Sequence, residues 1–250
     1  RFDLLETTAA SMTKEFPNFQ VGWKCLGVAL IKLGRFHESV DALQRCSDLG
    51  PHDPAVHNNL GIAFKQLGKL EEAVSSLRQA TALKPDLGEA QYNLGNALME
   101  LGSLDEAEVC LRRAISLRGG HAETHERLGV TLYLQGKLAE AEAVTRKSIA
   151  IYPNHATAHR SLGDTLKALG RFDDAKAAYL QAINLNPDCH EALNNLGIML
   201  FERGDYDEAY RYLASSHSDE SRRYAIRCSY QRDSGQDFLE KLEGQFKGSG

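Results

Sequence analysis

A Leu-Gly pair returns at a fixed interval of 34 residues, six times and in phase: Leu26-Gly27, Leu60-Gly61, Leu94-Gly95, Leu128-Gly129, Leu162-Gly163 and Leu196-Gly197. A period of this length restricts the chain to stacked copies of one supersecondary unit, because a lone copy cannot bury its own apolar face. It also favours binding along an extended surface over chemistry in an enclosed pocket.

The copies run 20–53, 54–87, 88–121, 122–155, 156–189 and 190–223. A second glycine follows each first one by seven residues: Gly34, Gly68, Gly102, Gly136, Gly170 and Gly204. Each sits between two apolar-periodic stretches, where a helix ends on a residue tolerant of left-handed φ, so each copy reads as helix, turn, helix. Small residues recur in the second helix, at the twentieth position (Ser39, Ala73, Ala107, Ala141, Ala175, Ala209) and the twenty-seventh (Cys46, Ala80, Ala114, Ser148, Ala182, Ser216). Placed opposite the first-helix glycine, they let two helix backbones approach closely. Large apolar residues then fill the space between copies: Leu30, Phe64, Leu98, Leu132, Leu166 and Leu200 from the first helices, Leu43, Leu77, Leu111, Tyr179 and Leu213 from the second. Pro51, Pro85, Pro153 and Pro187 stop the second helices.

Length, the Leu-Gly pair, the small residues and the terminal proline together resemble the tetratricopeptide repeat, and Trp23 supplies the aromatic of its fourth position. The match covers 20–223, with Gly119 and Ser221 in place of proline and Thr145 in place of the large residue of the fourth copy. The resemblance implies an all-α fold, a right-handed α-α superhelical solenoid of helix-turn-helix repeats whose first helices line a concave groove.

Composition agrees with a folded chain, 42% apolar and 25% charged over 250 residues. The net charge of −5 removes the electrostatic drive of a general nucleic-acid binder. No run approaches the roughly 18 apolar residues of a membrane span, and no membrane insertion is expected. The opening Arg1-Phe2-Asp3-Leu4-Leu5 is not a signal peptide, and with the first methionine at Met12 the chain reads as a piece of something larger. Gly248, Ser249 and Gly250 read as an appended linker. The five cysteines, Cys25, Cys46, Cys110, Cys189 and Cys228, are widely spaced with no C-x-x-C, which points to free thiols in a reducing, cytoplasmic compartment.

At the amino end, residues 3–15 read as one helix whose Leu5, Ala9 and Met12 match the inward positions of a second helix, making 1–19 the back half of an upstream copy. After residue 216 the period breaks. Ser218-Asp219-Glu220 opens a helix carrying Tyr224, Ala225, Cys228 and Tyr230, and Phe238, Leu239, Leu242 and Phe246 mark a final amphipathic stretch. Residues 224–250 are thus a degenerate helical cap over the end of the stack, a bridge to a downstream domain, or both.

No catalytic constellation is present. Gly68-Lys69 and Gly136-Lys137 resemble the tail of a phosphate loop, but the preceding glycines lie seven residues back rather than five. His121 and His125, and His155 and His159, have the i, i+4 spacing of metal ligands, yet each pair straddles a repeat junction and no carboxylate or cysteine completes it. His57, His125 and His159 share the fourth repeat position, a packing site for a ring. No metal and no cofactor is expected, and the chain does not read as an enzyme.

The resemblance assigns positions 2, 5, 6, 9, 12 and 13 of each first helix to the groove. Position 6 carries Asn59, Asn93 and Asn195, interrupted by Cys25, Arg127 and Ser161. Asparagine donates and accepts, so such a row can bind the backbone of an extended peptide. The row resembles, with half its rungs, the ladder of O-linked N-acetylglucosamine transferase repeats. The opposing reading, that Asn is simply common at this position in the family, stands beside it. Tyr92 at position 5 and Asn96 at position 9 join this set, and position 12 adds Ile31, Met99, Tyr133 and Phe201 as anchors or as contacts to the neighbouring copy. Lys24, Lys32 and Lys65 make the first third basic. Glu89, Glu100, Glu123 and Glu126 make the middle acidic with Arg127 at its edge, and Arg160, Lys167, Glu191 and Glu202 follow. This charge either is a solvated face or steers a bipolar peptide. The clamp for the acidic tails of heat-shock chaperones is excluded: Lys24 and Asn59 fit it, but Val28, Glu89 and Asn93 do not.

The expected function is a non-catalytic scaffold holding a peptide or protein segment. Two alternatives are the substrate-recruiting region of a larger glycosyltransferase, sulfotransferase or oxygenase, and self-assembly through end repeats.

Overall fold

The computed structural model describes residues 2–118, 120–216 and 218–232. Their regular elements are fourteen α-helices: α1 (Phe2–Glu15), α2 (Gln20–Lys32), α3 (Phe36–Leu49), α4 (Pro54–Gln66), α5 (Leu70–Leu83), α6 (Gly88–Glu100), α7 (Leu104–Arg118), α8 (Ala122–Leu134), α9 (Leu138–Ile151), α10 (Ala156–Ala168), α11 (Phe172–Leu185), α12 (His190–Glu202), α13 (Tyr206–Ser215) and α14 (Asp219–Arg232). The amphipathic stretch around Phe238, Leu239, Leu242 and Phe246, and the terminal Gly248, Ser249 and Gly250, lie outside the described residues, as does Gly119.

The turn glycines behave as their spacing predicts. Gly34, Gly68, Gly102, Gly136, Gly170 and Gly204 all have φ between 73° and 86°. At Gly34 the amide bonds the Ile31 carbonyl and the Arg35 amide bonds that of Leu30, so the carbonyls left open at the end of α2 are satisfied by the turn itself. The third copy, which lacks the junction proline, places a further left-handed glycine there, Gly120 at φ 76°.

The helices form two compact units, Arg1–Gln135 and Gly136–Gly250. In the first, α1 packs on α2, and the pairs α2/α3, α4/α5 and α6/α7 stack in order, with α8 against α7. Its core includes Val40, Leu43, Cys46, Val56 and Leu60, and then Ala73, Val74, Leu77, Leu94 and Leu98. In the second, α9 packs on α10, α10 pairs with α11, α12 with α13, and α14 lies against both α12 and α13. The core here holds Leu166, Tyr179, Leu196, Met199, Leu200 and Leu213.

The packing corrects one sequence expectation. The first-helix glycine does not chiefly face the small residues of the second helix; it faces that helix's large one. A methyl group at Gly27, Gly61, Gly95 and Gly197 would collide with Leu43, Leu77, Leu111 and Leu213, and at Gly163 with the Tyr179 ring. The missing Cβ is the socket for a residue of the same copy. The twentieth-position residues sit against backbone: Ser39 donates to the Gly27 carbonyl at 2.8 Å, and the Ala107 carbonyl is 3.3 Å from where a Gly95 Cβ would be.

Three other expectations change in detail. In α1 the buried residues are Ala9 and Thr13, whereas Leu5 is exposed and Met12 half-buried. Thr145 is fully buried, and its hydroxyl has no partner. The last copy ends early: α13 stops at Ser215 and Ser221 lies inside α14, where it bonds Asn194, Ser216 and Ser218. Ser218 also caps the new helix through the Ser221 amide.

The fourth-position rings close repeat junctions. Trp23 Nε1 donates to the Pro17 carbonyl at 2.8 Å, His57 Nε2 lies 2.8 Å from the Pro51 carbonyl and His159 Nε2 2.9 Å from that of Pro153. Each ring therefore ties a first helix to the turn six residues before it. Of the histidines that metal-ligand spacing had singled out, His159 has this role, whereas His125 Nδ1 lies 3.2 Å from the His121 carbonyl and His155 Nδ1 lies 3.2 Å from the Ser148 hydroxyl. His121 and His155 stand at the N-caps of α8 and α10, in the turns as expected. Among the described residues no group of three His, Cys, Asp or Glu side chains could hold a metal ion.

Candidate functional site: the first-helix face

The first helices present their polar residues side by side at a spacing of one repeat plus one residue. In the first unit, Asn93 Nδ2 donates to Asn58 Oδ1 at 2.9 Å, and Lys65 Nζ pairs with Glu100 at 2.9 Å. In the second, Lys167 pairs with Glu202 at 2.9 Å, the same two repeat positions as Lys65 and Glu100. These bonds join α4 to α6 and α10 to α12, so these pairs of first-helix residues lie side by side within each unit.

The same bonds change what that face offers. Lys24 is tied to Asp53 at 2.7 Å, and Asp53 also caps α4 by accepting from the Ala55 amide. With Lys24 held by an acid at the end of its own copy and Lys65 by one in the next, the basic first third expected from the sequence is largely neutralised. Burial pushes the Asp53 carboxyl up, but the bonds from Lys24 and from the Ala55 and Val56 amides outweigh it and hold its pKa below the usual carboxylate value. Arg160 is held by Asp164 at 2.9 Å. Glu126 is buried, with the exposed Arg127 at 3.6 Å, while Glu89 is exposed.

The asparagines are not equivalent. Asn195 Nδ2 donates to Asp164 Oδ1 at 2.7 Å, the oxygen that also accepts from the Tyr179 hydroxyl at 2.7 Å. Asn93 is fixed by Asn58, whereas Asn59 is half-buried with no partner among the described residues. Asn96 is buried and its Oδ1 has no hydrogen bond at all. Around this set Tyr92 and Met99 are half-buried, as is Tyr133 on α8. The apolar position-12 residues pack rather than project: Ile31 and Met99 against the cores of the first unit, and Phe201 against Tyr206 and Tyr224 in the second.

Sequence reasoning passed over Asn58 and Asp164. Position 5 is occupied by Asn58 and again by Asn194, and position 9 by Asn96 and Asp164, so polar groups recurring at groove positions were the available signal.

Tetratricopeptide repeat models match residues 86–154, 121–188 and 160–222, and a TPR repeat model matches 63–102. The chain belongs to the tetratricopeptide repeat family. Solved structures share the fold. A chain of the APC/C hetero-tetramer Cut9-Hcn1 superposes with a TM-score of 0.77 at 17% identity, over 91% of this chain and 46% of that one. This chain thus spans less than half the length of that relative. PilF of Pseudomonas aeruginosa gives 0.70 at 19% identity over 83% and 97%. YrrB, described as a TPR protein with an unusual peptide-binding site, gives 0.62 at 20% over 74% and 95%. No curated protein sequence matches the chain. The fold is that of protein–protein interaction scaffolds. No helix among the described residues is long and apolar enough to cross a membrane.

Proposed function

We propose that the chain binds an extended segment of a partner protein along the first-helix face, with its main hold in the first unit. The observation that supports this most is the unpartnered Oδ1 of Asn96, buried on α6 beside Asn93. A buried acceptor left without a donor costs about 1–3 kcal/mol, and a backbone amide of an incoming segment would remove that cost. Asn59 and the free Oδ1 of Asn93 supply further bonds to peptide groups, which are the same along any chain and so suit an extended ligand. Tyr92, Met99 and Tyr133 supply the apolar contacts. Within this reading the repeat register is 20–53 through 190–223, and α1 stands where the second helix of a preceding copy would.

The test uses peptides selected against the intact chain from a random display library. Changing Asn59, Asn93 and Asn96 together to Ala should weaken the selected peptides by roughly tenfold or more, since each net hydrogen bond contributes about 0.5–1.5 kcal/mol. Helicity should stay unchanged. Unaltered affinity in the triple variant would sink the proposal.

A further inference from the structure

The helix after the last repeat carries a cation that no described residue neutralises. From α14, the Arg227 guanidinium lies over the Phe201 ring at 4.8 Å and over the Tyr224 ring at 5.3 Å. The two rings meet edge to face 5.2 Å apart, and Phe201 meets Tyr206 in the same manner at 5.4 Å. Arg227 is exposed and makes no hydrogen bond or ion pair with any described residue. Arg223, one turn earlier on α14, is also exposed and pairs with no acid among the described residues. Elsewhere in this unit Arg160, Lys167, Arg171 and Lys176 are each paired with a carboxylate.

We infer that Arg227, laid over Phe201 and Tyr224 with Arg223 beside it, is a receptor for an acidic stretch of the bound protein segment. The guanidinium carbon lies against both rings, and no described acid takes its N–H groups. Those groups form a planar fork matching a carboxylate in two parallel bonds. Because the stack already restricts the side chain, binding an anion costs less rotamer freedom than it would at a loose arginine. Phe201 is the position-12 residue of the sixth copy, so the cation stands where the first-helix row of this unit ends. Of the acids on α12 and α13, Glu202 and Glu208 are already paired with Lys167 and Lys176. The chain carries a net charge of −5, so a long phosphate backbone would meet repulsion away from the site, whereas a short acidic stretch need meet only the arginines. A protein segment is therefore the occupant, and nucleic acid is an outcome the test can return.

The inference rests on the proposed binding of a protein segment, but its test does not depend on the asparagine face. The probe is a fluorescein-labelled Gly-Glu repeat peptide, with a Gly-Gln repeat of equal length and oligo-dT as comparisons. Anisotropy and the Arg side-chain Nε–H resonances of the intact chain are the readouts. The acidic peptide should move the Arg227 resonance and the neutral one should not. Arg227→Gln should weaken the acidic peptide by about tenfold, the scale of one charged hydrogen-bonded contact. Arg227→Lys should recover part of that loss, since an ammonium keeps the charge and loses the fork. Arg223→Gln leaves the ring stack intact and should weaken binding by a smaller factor at unchanged melting temperature. An unmoved Arg227 resonance, parental affinity in Arg227→Gln, or tighter binding of oligo-dT would overturn the inference. The Asn59, Asn93 and Asn96 triple variant should bind the Gly-Glu peptide as the parent does, so its loss of selected peptides bears on the face in the first unit alone.

Discussion

Position 9 of the first helix is polar in two copies, and the two solve the same problem in opposite ways. Asp164, in the second unit, accepts from Arg160, Asn195 and the Tyr179 hydroxyl at 2.7 to 2.9 Å. Asn96, in the first unit, is buried with an oxygen that accepts from nothing. The difference traces to the donors around the position: Arg160, Tyr179 and Asn195 surround Asp164, where the corresponding residues about Asn96 are Tyr92, Leu111 and Arg127. Where the fifth copy has Tyr179, the third has Leu111, which fills the glycine socket but donates no hydrogen bond. A saturated carboxylate fixes its neighbours, and an unsatisfied amide is a group whose bond waits for a ligand. The two units therefore share a repeat and differ at this position: in one the polar group is saturated by its neighbours, in the other its oxygen has no hydrogen bond.

The largest expected effect tests that tie directly. Gly61→Ala puts a methyl group into Leu77, whose free side chain can turn aside. Gly163→Ala puts one 2.6 Å from the Tyr179 ring, whose hydroxyl is anchored on Asp164. Overpacking costs about 1–3 kcal/mol, and alanine returns about 1 kcal/mol of helix propensity. Moving Tyr179 also loses a bond to a charged group, a further ~1.5–3 kcal/mol. Gly163→Ala should therefore lower stability in urea by about 2–4 kcal/mol and Gly61→Ala by about 0–2 kcal/mol. Equal losses would break the comparison.

Next in size is the carboxylate itself. Asp164→Ala leaves the Tyr179 hydroxyl and the Asn195 amide without their shared acceptor, a loss of about 2–3 kcal/mol. The matching change in the first unit runs the other way. Asn96→Leu replaces an unpaired buried amide by an apolar group of similar size and should raise stability by about 1 kcal/mol. It should at the same time weaken peptides selected for the first-helix face. A variant that gains stability and keeps its peptides would separate the unpaired oxygen from binding.

The fold was legible because the determinants of a repeat are local and recur. Glycine at a fixed offset ends the first helix, and that alone placed six turns with positive φ. What spacing did not reveal was which residue fills the socket at Gly27 or Gly61, because Leu43 and Leu77 lie sixteen residues on and both large and small candidates recur with the same period. The site was legible as a set of positions and not as a set of partners. Asn93 and Asn195 occupy one repeat position, yet one bonds Asn58 and the other Asp164, since the neighbour's residue decides. Likewise Lys24 and Lys65 read as free cations until the junction closing the first copy supplies Asp53 and the adjoining repeat supplies Glu100.

The smallest effect concerns acid. Asp53 in the first unit and Glu142 in the second both have carboxyls that burial pushes up and that cations pull below the ordinary value, Lys24 with two amides for Asp53, and Arg146 with Arg171 for Glu142. A carboxyl with a lowered folded pKa contributes stability that is fully present above its unfolded value, about 3.9 for Asp and 4.3 for Glu. That contribution is lost as pH falls through the folded value. Stability should thus be flat from neutrality down to about pH 5 on account of these groups and fall below it. Asp53→Asn and Glu142→Gln should each flatten part of that acid limb, by less than about 1 kcal/mol, because partly exposed ion pairs are weak. Salt separates the two: Glu142 is held through ion pairs alone, which screening weakens, whereas Asp53 also caps α4 through the Ala55 amide at 2.9 Å. Melting curves across pH at low and high ionic strength should therefore show the Glu142→Gln difference fading with salt and the Asp53→Asn difference persisting. If both fade together, the capping bond contributes nothing and the carboxylates of the two units are held by charge alone.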